Sequence, residues 1–132
     1  MKVEIVRTHS FDIPSLVSRT RDKHIPHAIE ITQDFVSRSS VVWVGKADGI
    51  EVCAVGLIPL SVLSDHAMIW LTHTQICEAH PLRFIRWSRK VLHEAHSLYP
   101  NLFGYCVNIR SQAWLEWLGA EFSGQTFRLT HG

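Results

Sequence analysis

The chain has 132 residues, 46% of them hydrophobic, with five Trp and six Phe, which is enough for one folded domain with a continuous core and excludes a disordered chain. Thirteen Lys and Arg stand against twelve Asp and Glu, a formal +1 with the nine His neutral, so the overall field favours neither nucleic acid nor an acidic membrane. Three widely spaced cysteines, Cys53, Cys77 and Cys106, read as buried free thiols of a reducing compartment rather than as a disulfide framework.

Val3 to Arg7 alternates sides and predicts a first strand, ended by Thr8-His9-Ser10. Ser10 or Asp12 is placed to cap a short helix running through Thr20, with Pro14 in its first turn. A second helix is expected from Pro26 to Ser37, where Ile29, Ile31, Phe35 and Val36 gather mostly on one side. Val41 to Lys46 and Glu51 to Ile58 flank Ala47-Asp48-Gly49-Ile50, and Asp-Gly between two β-branched runs signals a tight primed hairpin. His66 to His73 reads as another strand, giving a meander of strands two, three and four.

From Pro81 to about Leu98 an apolar stripe of Phe84, Ile85, Ser88, Val91, Leu92 and Ala95 marks a helix whose other side carries Arg83, Arg86, Arg89, Lys90 and His93. Pro100 and Asn101 end it. Phe103 to Val107 then predicts a fifth strand, Ser111 to Leu118 a last helix and Gly124 to Leu129 a last strand. With no repeat or linker, residues 1–132 read as a single α/β domain of order β-α-α-β-β-β-α-β-α-β. The N-terminus lacks a hydrophobic signal core and no run approaches the ~18 apolar residues of a membrane span, so synthesis in the cytosol is expected.

The stretch Asn108 to Phe122 reads as strand end, amphipathic helix, glycine stop and new strand. It resembles the last helical segment of GNAT-type acyltransferases, in which an Asn leads a helix ending in Leu-Gly-Phe. With the element order, the resemblance covers almost the full chain and implies an α/β (α+β) fold with a mixed, mostly antiparallel sheet flanked by four helices. It further implies a splayed parallel pair, His66–His73 and Phe103–Val107, whose gap receives the pantetheine arm of acetyl-CoA. More narrowly, Glu-Ala-His-Pro-Leu-Arg-Phe at 78–84, Arg-Trp-Ser-Arg-Lys at 86–90, Tyr99-Pro100 and Trp117-Leu118-Gly119-Ala120 resemble the small internal virion protein A-like proteins of tailed bacteriophages. That resemblance implies a phage-encoded, virion-associated or assembly-related protein in the host cytoplasm, incorporated in the particle or not. Its partners would be virion or host proteins, in an assembly that can hold several copies.

Two departures separate the chain from active members. GNAT enzymes hold the cofactor pyrophosphate on a Gly-rich loop at the start of the central helix, where free amides and the helix dipole attract the anion. The matching Gln75 to Phe84 segment has no glycine, Pro81 lacks an amide donor, and Glu78 adds negative charge. At the position where active members often carry a Tyr general acid stands Leu115. The expectation is a catalytically degenerate protein without a cofactor. The alternative is an acyl-CoA-dependent N-acetyltransferase with a divergent phosphate site: Arg83 and Arg86 gripping phosphate, Asn108 at the cofactor by carry-over from the family motif, and His73 as base. His66, at opposite parity on the same strand, faces the other side.

Other constellations carry less. Cys77-x-x-His80, His93-x-x-His96 and His24-x-x-His27 have ligand-like spacing but do not make up the four ligands of a zinc site, so no metal is expected. Cys106 reads as a packed thiol rather than a nucleophile. Nucleic-acid binding through Trp87 and the basic helix face is disfavoured by the near-zero charge. Trp43, Trp70 and Trp114 fit inward positions. Trp87 and Trp117, at the edges of their helices' apolar stripes, are expected with Arg89 and Lys90 to form a protein contact surface.

Overall fold

The computed structural model describes residues 1–106 and 109–130, except the side chains at 109–111, 114 and 130. The elements are β1 (Val3–Arg7), α1 (Ile13–Ser18), a short 3-10 helix (Arg21–His24), α2 (Ala28–Arg38), β2 (Val41–Ala47), β3 (Ile50–Pro59) and β4 (His66–His73). There follow α3 (Gln75–Ala79), α4 (Pro81–Leu98), β5 (Asn101–Tyr105), α5 (Ile109–Trp117), β6 (Glu121–Ser123) and β7 (Thr126–Thr130). The hydrogen-bonded strand order is β1-β2-β3-β4-β5-β7-β6. Of the described pairs, β4–β5 is parallel, whereas β1–β2, β2–β3, β5–β7 and β6–β7 are antiparallel. The mixed, mostly antiparallel α/β fold expected from the sequence is therefore present.

Three details differ from expectation. Thr74 leads into the extra short helix α3, so the described residues form five α-helices rather than the four expected. The last strand is a hairpin, β6–β7, because Gly124 takes a φ of +65° and turns the chain. The fifth strand begins at Asn101 instead of Phe103, since the Asn101 amide donates to the Asp65 carbonyl and pairing with His66 starts at once.

The chain divides into two compact units, Met1–Ile58 with Trp70–Pro81, and Pro59–Ile69 with Leu82–Gly132. In the first, Asp48 and Gly49 have φ of +50° and +82° and Ala47 pairs with Ile50, the two-residue primed turn that Asp-Gly predicted. Asp12 caps α1 by accepting from the Ser15 amide, with Pro14 in the first turn. Val41 to Val44 are all buried, as expected of a strand covered on both faces, and Trp43 is among the largest fully buried side chains. Trp70 is buried with its indole N–H satisfied by Ser39 Oγ at 2.7 Å, while Ser39 Oγ donates to the Phe35 carbonyl at 2.6 Å. Gly56 makes room for that indole, since a Cβ there would lie 2.3 Å from the ring.

In the second unit Phe84, Trp87, Ser88, Val91 and Ala95 form the buried stripe of α4. Helix α5 ends in a Schellman cap: Gly119 has φ +99°, its amide donates to the Glu116 carbonyl, and the Ala120 amide reaches back to the Leu115 carbonyl at 2.9 Å. The glycine stop seen in the sequence thus has a backbone reason. Among the described residues no helix is long and apolar enough to cross a membrane.

Candidate functional site

The site with the most structure lies where β4 gives way to α3, inside the first unit. Thr74 leaves the strand with extended backbone, and both its amide and its hydroxyl donate to the Val52 carbonyl at 2.9 Å. The Cys77 thiol donates to the same carbonyl at 3.6 Å, so one buried oxygen anchors the whole turn. Cys53, next in sequence, is buried beside Cys77; the hydrogen bond to that thiol and burial push the Cys53 pKa well up, which keeps it an unreactive thiol.

Thr20 forms an isolated bridge with Thr74, and its hydroxyl accepts the Asp22 amide at 3.2 Å, setting the 3-10 helix beside α3. This delivers Arg21 to Glu78. The guanidinium donates through Nε to Oε1 at 3.1 Å and through Nη2 to Oε2 at 2.8 Å, a bidentate pair. His73 Nε2 lies 3.5 Å from Glu78 Oε1. The hydrogen bond from Arg21 holds the Glu78 carboxyl below the usual carboxylate range, against a smaller upward push from burial and with further help from the charges of Arg21 and His73.

His73, at the end of β4, is mostly buried, whereas His66 is exposed and its Nδ1 lies 2.7 Å from Asp65 Oδ1. Arg83 and Arg86 are exposed on the first turns of α4, and Asn108 lies outside the described residues. Leu115 is half-buried, and its carbonyl accepts both the Leu118 and Ala120 amides of the helix cap.

The segment Thr74–Pro81 does not fit the pyrophosphate of an acyl-CoA held on backbone amides. The Cys77 amide donates to Thr74 and the His80 amide to Ile76, both at 3.2 Å, and position 81 has no amide hydrogen. A carboxylate, Glu78, occupies the same turn. The missing glycines thus have a structural counterpart: the segment is wound into α3, and its Cys77 and His80 amides bond within it.

One expected contact residue is overturned. Trp87 is only 4% exposed, at the centre of the α4 stripe, because Phe84, Trp87, Ser88 and Val91 recur at i, i+3, i+4 and i+7 while Ile85 and Leu92 are only half-buried. Trp117 is 55% exposed, and Arg89 and Lys90 are exposed on α4. Cys106 is half-buried rather than buried. Trp43 and Trp70 are buried as expected, and the Trp114 side chain lies outside the described set. The pairing of Arg21 with Glu78 had no signal in the sequence, since 57 positions separate the partners. Among the described residues no group of three or more His, Cys, Asp or Glu could hold a metal ion.

No protein-family model and no curated protein matches the chain. Solved structures do. A protein of Desulfovibrio desulfuricans assigned to the GNAT family of acetyltransferases superposes with a TM-score of 0.76 at 11% identity, over 98% of this chain and 99% of its own. The ribosomal-protein-S18-alanine N-acetyltransferase of Escherichia coli gives 0.70 at 12% identity, over 98% and 94%. The IAA acetyltransferase of Bacillus cereus gives 0.66 at 15% identity, over 92% and 79%. Taken with the strand order and the parallel β4–β5 pair, these likenesses show that the chain has the GNAT fold.

Proposed function

We propose that this chain is a GNAT-fold protein without acetyl-transfer activity, acting by contact with other proteins. The observation that carries the reading is the turn Thr74–Pro81, in which the Cys77 and His80 amides bond within the segment and Glu78 is locked by Arg21. An acyl-CoA diphosphate would meet a carboxylate there, beside two amides that are already bonded. Leu115 points the same way, because a leucine cannot protonate a leaving thiolate. The resemblance of segments 78–84, 86–90 and 117–120 to phage internal virion proteins supports a role in a virion or its assembly, with virion or host proteins as partners. A gene lying among capsid and tail genes is the expected context; a metabolic operon would count against it.

A second reading, an active acyl-CoA-dependent N-acetyltransferase, is favoured by the acetyltransferases among the structural likenesses and by the His73–Glu78 pair. It would use His73 as base and Arg83 and Arg86 on the phosphates. Calorimetry with acetyl-CoA separates the two: no heat at high protein concentration is expected. Micromolar binding that disappears in an Arg83→Ala, Arg86→Ala double variant would establish the second reading and remove the first.

A further inference from the structure

Four of the chain's thirteen Lys and Arg lie on one helix. Helix α4 carries Arg83, Arg86, Arg89 and Lys90 against a single carboxylate, Glu94, although the whole chain is formally only +1. Arg86, Arg89, Lys90 and His93 recur at i, i+3, i+4 and i+7 and are all exposed, so they share one face. Like charges at these spacings repel, and the helix tolerates this only because its opposite stripe is buried. An anion laid along the face would relieve that repulsion.

Beside the stripe stands an aromatic residue that is not packed away. Arg89 Cζ lies 4.5 Å from the ring centroid of Trp117, which is 55% exposed. A guanidinium stacked on an indole keeps its in-plane N–H groups pointing outward, already oriented for two-point contact with a carboxylate. The Schellman cap at Gly119 fixes the end of α5 and hence the backbone that presents Trp117. An anchor held in place before binding loses little entropy when a partner arrives. Because Arg89 covers a face of the indole, Trp117 is less suited to stacking a nucleobase than to packing beside an apolar side chain.

We infer that the exposed face of α4, with Trp117 at its edge, docks an acidic segment of a partner protein: Arg89, stacked on Trp117, takes a carboxylate while Arg86 and Lys90 take its neighbours. This rests on the reading of the chain as a protein-contact module and gives that reading a surface and a partner chemistry.

Fluorescence anisotropy of the full chain with a labelled oligoglutamate peptide, and in parallel with labelled oligothymidylate, tests it. The peptide binds saturably, more weakly as ionic strength rises, and Arg89→Ala or Trp117→Ala each weakens it about tenfold. Arg89→Lys, which keeps the charge but loses the planar fork, weakens it less, and Arg38→Ala on α2 leaves it unchanged. Circular dichroism checks that each variant is folded. Absence of peptide binding, binding by both alanine variants as tight as by the wild type, or tighter binding of oligothymidylate than of peptide would each overturn the inference. The acetyl-CoA titration reports separately. Cofactor binding with peptide binding intact removes the non-enzymatic reading alone, and failure of both ligands removes the acidic-segment surface alone.

Discussion

Arg21 and Arg89 carry the same guanidinium and are used in opposite ways. Arg21 is spent inside the molecule, both of its contacts going to Glu78 across the turn after β4. Arg89 lies over an exposed indole, on a helix face crowded with other cations. The first arrangement ties the turn after β4 together; the second leaves charge and an aromatic ring facing solvent. Whether a cation is satisfied locally or offered outward is what separates a structural turn from a candidate contact surface in this fold.

The contrast can be broken from either side. The largest effect is expected from Gly119→Ala. Its φ of +99° is accessible to glycine and strained for alanine, so the variant should lose about 1–2 kcal/mol, read as a lower denaturant midpoint, and weaken peptide binding by displacing Trp117. Thr74→Val comes next. It removes the buried hydroxyl that reaches the Val52 carbonyl and should cost about 1 kcal/mol without touching the α4 surface or peptide binding.

The smallest effect is a pH dependence. Glu78 has a folded-state pKa below its ordinary 4.5, so its contribution is fully present above that value and is lost as pH falls through the lower folded one. Melting curves on the acid side of the carboxylate range should fall less steeply for Glu78→Gln, which starts lower at neutral pH. An identical acid slope in wild type and variant would show that the Arg21–Glu78 pair contributes nothing to folding.

Much of the architecture was legible in the chain. β4 and α4 have the boundaries expected from alternation and helical periodicity, because each follows a strong single-period pattern with a clear start signal. The Asp48-Gly49 turn and the Gly119 stop were equally readable, since positive φ is a local demand that few residues meet. Short α3 was not. Five residues carry too little periodicity to announce a helix, and α3 is held by Thr74 and Cys77 reaching Val52, more than twenty positions away. Trp87 was misplaced for a related reason: the edge and the centre of an apolar stripe differ by one residue's rotation, and only packing fixes which residues are centred.

By itself the sequence determined the order of the longer elements, the tight turns and the absence of glycine before α4, all of which depend on backbone preferences or side-chain period within a few residues. Only the tertiary structure decided that Glu78 is paired with Arg21, that the turn is tied to the Val52 carbonyl, and that Trp117 rather than Trp87 stands open beside Arg89. Those outcomes depend on residues far apart in the chain, whose meeting is set by how the elements pack and not by any preference written locally.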